Sequence, residues 1–335
     1  MIVLHLGNGY LENVIASNGF GAVANNRNRI FDAFTSFDLQ EIFQVVSDTC
    51  KSKYDIKPAG RYILKIVHDL LGYNNHRPFF LNFANCPFPK LPERILAKLS
   101  SGQLTQTAAD NFNSLFMMGQ SECAKIDTFF YDMKAQMSHI ATNNANNTGG
   151  ASVLSAIKKG QLLCIDLNSS ANIMLLELIV NTLIIAMSRG YEFTLFLDDV
   201  GVANNEPFKN MICQKSSHNN VVCSKDLFAL LSGKDDVFSS VTGEMDKTVL
   251  LSHRSHISCE RWSKFIGEYD KIDVSQNRNA GFSQGSKWGY SSNYGKTMTD
   301  KREHKVKPDQ INRLTPNEIF IYDHRTGSLI QANVV

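Results

Sequence analysis

The chain has 335 residues, and 43% of them are hydrophobic, which suffices for one large or two modest domains and excludes wholesale disorder. Its 34 Lys and Arg against 32 Asp and Glu leave a net charge of +2, so any basic surface that binds polyanions must be local. Seven cysteines without CxxC spacing, and no secretory leader pattern, indicate a reduced, cytoplasmic protein. The longest apolar stretch, Ala171 to Met187, contains Glu177 and two asparagines, which favours a buried helix over a membrane span.

Residues 1–90 read as the first part of an α/β core. A strand from Ile2 to Leu6 runs directly into the turn signal Gly7-Asn8-Gly9, and apolar spacing between Asp38 and Leu71 predicts two helices. Because the strand opens so abruptly, we expect a further segment upstream of Met1.

Residues 91–145 form an all-helical insertion of about three helices in this interpretation, since apolar residues recur there at helical spacing. The Asn-rich stretch 143–150 that follows can bury little surface and is expected to be an exposed connection.

Residues 146–275 alternate between short β-branched runs and helical patterns. The predicted strands are Leu162–Leu167, Phe193–Leu197, Val221–Cys223, Val249–Leu251 and Ile272–Val274. Strands of this length separated by helices indicate a mainly parallel sheet with helices on both faces, which binds ligands at the carboxyl ends of its strands.

The last two segments differ from this pattern. Residues 276–307 are rich in Gly, Ser and aromatic residues and carry seven Lys or Arg against two acids, a charge of +5 that predicts a basic, flexible segment. Residues 308–335 predict a hairpin, with strands at Glu318–Tyr322 and Leu329–Ala332 around the turn at Arg325 to Gly327.

Asp198 and Asp199 end an apolar strand, which is the sharpest chemical signal in the chain. In nucleotide hydrolases, the first such carboxylate holds the Mg²⁺ shell and the second activates the attacking water. The same pair is also common where a strand simply ends in a turn. No G-x-x-x-x-G-K-[ST] phosphate loop is present, and the nearest match, Gly289 to Thr297, has five residues between its glycines.

Two further groups could bind ligands. His253, His256 and Cys259 could suggest a metal, but no second clustered pair accompanies them, while Arg254 could contact a phosphate or be a solvated loop residue. The basic segment interleaves cations with aromatic residues, a pattern suited to single-stranded nucleic acid but also found in ordinary surface loops. Its candidate nucleic-acid-binding residues are Lys287, Trp288, Tyr290, Tyr294 and Lys296.

The order of these features resembles the TraG/TraD-type coupling proteins of conjugation and type IV secretion, which belong to the hexameric, RecA-like DNA-translocating ATPases. The resemblance rests on the stretches 160–167, 195–199, 224–230, 258–269 and 313–319, of which Trp262 to Tyr269 and Arg313 to Ile319 are the most specific. It implies a RecA-like sheet whose Walker B strand ends at Asp198, which would hold ATP and Mg²⁺, and it implies assembly into a homo-hexamer. If the chain hydrolyses ATP, the expected catalytic residues are Asp199, as the acid that activates water, and Arg254, from its position after a strand.

The resemblance further implies single-stranded DNA as one partner, with secretion or relaxosome proteins contacting the helical insertion and holding the protein at the inner face of the membrane. The sequence departs from the family pattern because Walker A is absent and Walker B ends Asp-Asp, where Asp-Glu is commoner. A degenerate or truncated ATPase is therefore one hypothesis, and a non-enzymatic module that binds DNA or a secretion partner is another. A third is an unrelated doubly wound enzyme, although Gly7-Asn8-Gly9 lacks the third glycine of a dinucleotide fingerprint.

Overall fold

The computed structural model describes residues 1–73, 78–142, 150–169, 171–201, 206–213, 218–231, 233–283 and 289–334. The chain divides into two compact units. Unit 1 comprises Met1–Ser224 and Ala229–Glu244, and unit 2 comprises Lys225–Phe228 and Met245–Val335.

Unit 1 is built on a five-stranded parallel sheet. Its strands are β1 (Ile2–His5), β2 (Gly21–Ala24), β3 (Leu162–Asp166), β4 (Thr194–Asp198) and β5 (Asn219–Cys223). They lie in the order β2-β3-β1-β4-β5, and every neighbouring pair is parallel. The central strand β1 places Ile2 opposite Leu163 and Leu195, and His5 opposite Asp166 and Asp198. The parallel sheet predicted from the sequence is therefore confirmed.

Both faces of this sheet are buried, which explains why its strands read as apolar runs. On one face, Val3, Val23 and Cys164 pack against Ile15 of helix α1 (Gly9–Ser17). On the other face, Ile2 and its neighbours Leu163 and Leu195 are fully buried. Helices thus enclose a sheet whose polar residues gather at its carboxyl edge.

Between β2 and β3 the chain is helical. The helices here are α2 (Leu39–Asp48), α3 (Lys51–Tyr54), α4 (Gly60–Tyr73), α5 (Phe80–Ala84), α6 (Leu91–Ser100), α7 (Gln106–Gly119), α8 (Cys123–Met137) and α9 (Val153–Lys158). This region begins well before the boundary predicted at residue 91. The reason is tertiary, because α4 packs against α7 closely enough that a Cβ on Gly119 would lie 2.7 Å from Cγ1 of Ile63.

A cluster of aromatic rings forms the core of this helical region. Phe34 makes edge-on contacts with Phe80 and Phe83, each with ring centroids 5.5 Å apart, and Phe130 stacks on Phe83 at 5.9 Å. Asp32 is buried beside the cluster and accepts backbone N–H bonds at 2.9 to 3.0 Å. Aromatic packing and this single carboxylate together fix the chain that leaves β2.

The remaining helices of unit 1 follow the sheet strands. They are α10 (Ile173–Ser188), α11 (Glu206–Cys213) and α13 (Asp235–Gly243), while the short α12 (Leu227–Leu230) spans the division between the units. The helix predicted from the apolar stretch at residue 171 is α10, and its apolar residues are buried. Among the described residues, no helix combines the length and the apolar character needed to cross a membrane.

Unit 2 contains antiparallel sheet. Its elements are β6 (Lys247–Leu250), α14 (His256–Ile266), β7 (Glu268–Ser283), β8 (Gly289–His304), α15 (Pro308–Asn312), β9 (Glu318–Asp323) and β10 (Ser328–Asn333). Strands β10, β9 and β6 form one sheet, and β7 and β8 form a separate two-stranded ribbon. The predicted carboxyl-terminal hairpin is confirmed as β9 and β10, with Ile330 opposite Ile321.

Two other predictions differ from the structure in unit 2. The runs Val249–Leu251 and Ile272–Val274 were predicted for the parallel sheet, and this was wrong because they fall in β6 and β7, which pair antiparallel with β9 and β8. The segment 276–307, expected to be flexible, contributes long paired strands to the ribbon, while residues 284–288 lie outside the described residues. Short β-branched runs predict a strand but not its partner.

Candidate functional site at the carboxyl edge of the parallel sheet

The acid pair that the sequence predicts lies at the carboxyl edge of the parallel sheet. Asp198 is the last residue of β4 and pairs in register with His5, the last residue of β1. Asp199 follows in a left-handed backbone conformation with φ of 55°, and its N–H donates to the carbonyl of Cys223 at 2.9 Å. Both acids are half-buried. They therefore lie at the edge where sheets of this kind bind ligands.

The turn from β1 into α1 lies at the same edge, and its backbone N–H groups donate to side chains of that edge. Gly7 has a φ of 66°, which favours glycine, and its N–H donates to Oδ1 of Asp166 at 2.9 Å. The N–H of Asn8 donates to Nδ1 of His5 at 3.0 Å. As the N-cap of α1, Asn8 accepts through its side chain from the N–H of Leu11 at 3.1 Å. These donors of the turn and of the first helical turn are thus already bonded.

Asp166, the last residue of β3, accepts hydrogen bonds from two backbone N–H groups at this edge. Besides Gly7, its Oδ1 accepts from the N–H of Asn168 at 2.7 Å, and the residue is only 8% exposed. Beside it, Nδ2 of Asn8 donates to Oδ2 of Asp198 at 2.5 Å. The carboxylate of Asp198, which the sequence predicts to hold a Mg²⁺ shell, therefore accepts a hydrogen bond from the side-chain amide of Asn8.

His5 is fully buried at the centre of this network. Its Nδ1 accepts from Asn8, so the proton of the neutral ring lies on Nε2, which has no hydrogen-bond partner and lies 3.5 Å from Oε1 of Glu12. Burial lowers the pKa of His5, while the charges of Asp166, Glu12 and Asp198 oppose that shift. The imidazole is thus held neutral among carboxylates.

The polar network continues to the end of β2. Asn25 directly follows β2 and donates from Nδ2 to Oε2 of Glu12 at 2.6 Å. Its own Oδ1 accepts from the N–H groups of Arg27 and Asn28. Polar residues at the ends of four neighbouring strands therefore lie side by side along the edge, with Glu12 3.5 Å from Nε2 of His5.

This layer does not fit the phosphates of a nucleotide. A phosphate cradle needs free N–H groups at a helix N-terminus and a lysine, whereas here the amides donate to a carboxylate and an imidazole, and neither the turn nor α1 contains a lysine. Anionic phosphates would also face the carboxylates of Asp166 and Asp198. Among the described residues, no group of three or more His, Cys, Asp or Glu is arranged to hold a metal ion.

The other sequence candidate for catalysis, Arg254, is an exposed residue of unit 2 between β6 and α14. Its neighbour His253 has Nε2 3.9 Å from Oδ1 of Asp226, and Ser258 donates from Oγ to the same carboxylate at 2.9 Å. Cys259 is buried with its thiol against the carbonyl of His253. The N-cap of α14 is Ser255, whose side-chain oxygen accepts from the N–H of Ser258 at 3.3 Å.

Three of the five predicted nucleic-acid-binding residues belong to β8. Lys287 and Trp288 lie outside the described residues. Tyr290, Tyr294 and Lys296 are in β8, opposite Phe282, Arg278 and Gln276 of β7, and Lys296 is exposed. The register thus places another cation and another aromatic residue opposite the predicted positions.

Sequence reasoning missed His5, Asn8 and Asp166 as members of the edge. Each lies at, or within three residues of, the carboxyl end of a strand, and that position could have identified them. The Gly7-Asn8-Gly9 signal predicts a turn, but its partner Asp166 lies 159 residues away from Gly7.

No protein-family model and no curated protein sequence matches the chain. Among solved structures, the bacterial conjugative coupling protein TrwBdeltaN70 in its unbound form matches with 13% identity, a TM-score of 0.49, and coverage of 100% of this chain and 84% of that one. Plasmid coupling protein TrwB in complex with ADP and Mg²⁺ matches with 12% identity, the same TM-score and the same coverage.

VirB4 of Thermoanaerobacter pseudethanolicus matches with 10% identity, a TM-score of 0.45, and coverage of 100% of this chain and 81% of that one.

Proposed function

We propose that this chain is a coupling-protein-like component of a DNA-transfer system that binds DNA without hydrolysing a nucleotide. The observation that carries the proposal is the closed edge of the parallel sheet. The N–H groups of Gly7 and Asn8 are bonded to Asp166 and His5, so the backbone offers no cradle to a triphosphate there. The resemblance in the sequence supports the DNA-transfer setting.

The basic segment and the helical region supply the binding surfaces in this proposal. Residues 276–307 carry +5 while the rest of the chain carries −3, so attraction to a polyanion is confined to that segment. Following the resemblance, the partners are single-stranded DNA and secretion or relaxosome proteins, with the helical region as the protein-binding part. A cytoplasmic homo-hexamer at the inner face of the membrane belongs to the same proposal.

A second candidate, an active ATPase, is favoured by one observation. Asp198 and Asp199 end β4, a direct neighbour of the central strand β1, which is a position where a Mg²⁺-binding acid and a catalytic acid can act. In this alternative Asp198 binds the Mg²⁺ of ATP, Asp199 activates water and Arg254 contacts a phosphate.

Measurements of ATP binding and of phosphate release distinguish the two candidate functions. We expect calorimetric titration with ATP and Mg²⁺ to give no binding at micromolar concentrations, and phosphate release to stay at background with or without single-stranded DNA. Hydrolysis that is lost in Asp199→Asn but retained in Glu192→Gln, a control exposed before β4, would overturn the proposal in favour of the ATPase. Hydrolysis that survives Asp199→Asn would remove Asp199 from any mechanism.

A further inference from the structure

A surface groove between helices α2 and α4 contains none of the residues at the edge of the parallel sheet. Its volume is about 510 Å³, which falls in the range of ligand-binding pockets. All the residues that line it belong to unit 1. Its lining includes Asp38, Leu39, Phe43, Arg61, Tyr62 and Lys65. The groove is therefore complete within unit 1.

The packing of α2 on α4 leaves apolar surface in this groove. The two helices contact each other, and each buries an apolar stripe. Leu39 and Phe43 are one helical turn apart beside the stripe of α2, and both are only half-buried. Tyr62 of α4 is half-buried as well. An apolar side chain placed against these residues would remove their exposed surface from water, and that burial is favourable.

Two of the three charged side chains in the groove already have partners of opposite charge. Nζ of Lys65 lies 2.7 Å from Oδ2 of Asp69, one turn along α4. Oδ2 of Asp38 lies 3.8 Å from Nη2 of Arg189. Neither of these charges therefore calls for a ligand group.

Arg61 is the third charged side chain, and its contacts are of a different kind. It is exposed, its Nη2 donates to the hydroxyl of Tyr62 at 3.0 Å, and its guanidinium lies 4.9 Å from the centroid of the same ring. Within the described part of the chain, no carboxylate forms an ion pair with Arg61. The groove thus combines half-buried apolar side chains with a guanidinium that has only an aromatic neighbour.

We infer that the α2–α4 groove binds a short segment of a partner protein in which an acidic residue adjoins an aromatic side chain. This inference rests on the proposed function, which assigns protein binding to the helical region. The guanidinium of Arg61 offers the forked donors that a carboxylate accepts, and Leu39, Phe43 and Tyr62 offer the surface against which a ring is buried.

The same observations disfavour nucleic acid as the ligand of the groove. One guanidinium matches one carboxylate, whereas a strand of DNA carries a phosphate at every nucleotide and gains affinity from several cations together. Phosphates in the groove would also approach the carboxylate of Asp38. A purely acidic peptide, in turn, would leave the apolar lining exposed to water.

The probe for this inference is the peptide acetyl-Gly-Ser-Glu-Phe-Ser-Gly-amide, with fluorine at the para position of the phenylalanine, together with its Phe-Glu isomer. Broadening of the fluorine NMR line measures binding without a bulky dye. We expect at least one of the two peptides to bind the full chain with a dissociation constant at or below about 1 mM. Replacement of the peptide Glu by Gln should weaken binding by about tenfold, because a charge-assisted hydrogen bond is lost.

Reversal of the charge in the groove gives the sharpest test. Arg61→Glu should bind the Glu-Phe peptides at least about tenfold more weakly and should bind the matching Lys-Phe peptides better than the wild-type chain does. A variant that fails to fold gains no new ligand, so this reversal cannot arise from lost structure. The matched control Arg27→Glu, at an exposed arginine in the loop after β2, should behave as the wild-type chain does.

A second variant tests the apolar part of the groove. Phe43→Ser should weaken binding of the Glu-Phe peptides by about tenfold, because less apolar surface is buried with the ligand. An unlabelled peptide with Ser in place of Phe should not displace the fluorinated probe. Phe43 is half-buried, so circular dichroism and the melting temperature of the variant accompany this measurement.

The outcomes separate this inference from the proposed function. If neither peptide binds, or if Arg61→Glu keeps the Glu-Phe peptides and gains no Lys-Phe binding, the inference is overturned, while DNA binding by the chain is untouched. Displacement of the peptide by oligothymidine also overturns it, because the groove is then a nucleic-acid site. If the peptides bind with the expected selectivity but the chain binds no single-stranded DNA, the inference stands and the DNA-binding part of the proposed function fails.

Discussion

Asp166→Ala tests the closed edge of the parallel sheet, because it removes the carboxylate that accepts the N–H of Gly7 in the β1–α1 turn. Asp166 accepts N–H bonds from Gly7 at 2.9 Å and from Asn168 at 2.7 Å, and it is 8% exposed. A hydrogen bond to a charged acceptor contributes about 1.5–3 kcal/mol, and part of that offsets the burial of the carboxylate. We therefore expect the free energy of unfolding of unit 1 to fall by about 2–4 kcal/mol.

The assay has to report on unit 1. Both tryptophans, Trp262 and Trp288, belong to unit 2, so their fluorescence is unsuitable. Urea denaturation followed by circular dichroism, together with hydrogen exchange of the β1 and β3 amides, measures the change where it occurs.

Asp198→Ala serves as the matched control for this prediction. Asp198 is half-buried and accepts from the side-chain amide of Asn8, so its loss should cost only about 1 kcal/mol. If Asp166→Ala costs no more than Asp198→Ala, the N–H of Gly7 is not held by Asp166. The physical basis of the proposed function then fails, because that N–H would be available to a phosphate.

Three further outcomes are expected from the described contacts. Gly119→Ala should lower stability by about 1–3 kcal/mol in urea denaturation, because the added methyl group lies 2.7 Å from Cγ1 of Ile63, whereas Gly72→Ala, with no atom within 4 Å, should raise it by up to about 1 kcal/mol. Burial raises the pKa of Asp32, so protonation of this carboxyl stabilises the folded chain below the unfolded pKa of about 4. That stabilisation is lost as the pH rises through the folded pKa. The urea midpoint of Asp32→Asn should therefore lack the increase that the wild-type chain shows as the pH is lowered through this range. Burial lowers the pKa of His5, so the neutral ring stabilises the folded chain above about pH 6.5, and this stabilisation is lost as the pH falls. The urea midpoint of His5→Asn should therefore change less between pH 7.5 and 5.5 than the midpoint of the wild-type chain.

Local sequence pattern predicted much of unit 1 correctly. The apolar runs that became β3 and β4 are five residues long and end in acids, and the buried stretch from residue 173 to 188 became α10. Periodicity and strand length are properties of neighbouring residues, so they can be read without a structure. The position of Asp198 at the carboxyl edge follows from the same pattern. The strand β2 was missed because Gly21-Ala22-Val23-Ala24 has one β-branched residue and offers little local signal.

Only the tertiary structure determined which strands pair with each other. The apolar run around Val249 was correctly read as a strand, yet its antiparallel neighbour β9 begins with Glu318, about seventy residues later. The antiparallel pairing of β7 with β8 depends likewise on a register that composition alone does not contain.

The sequence by itself determined four of the five strands of the parallel sheet, helix α10 and the acid that ends β4, because hydrophobic periodicity and turn chemistry act over a few residues. Only the tertiary structure decided that Asp166 bonds the N–H of Gly7, 159 residues away, and that His5 is buried among carboxylates. The physical reason is that the phosphate-binding capacity of a helix N-terminus depends on whether its N–H groups are free, and distant side chains decide that.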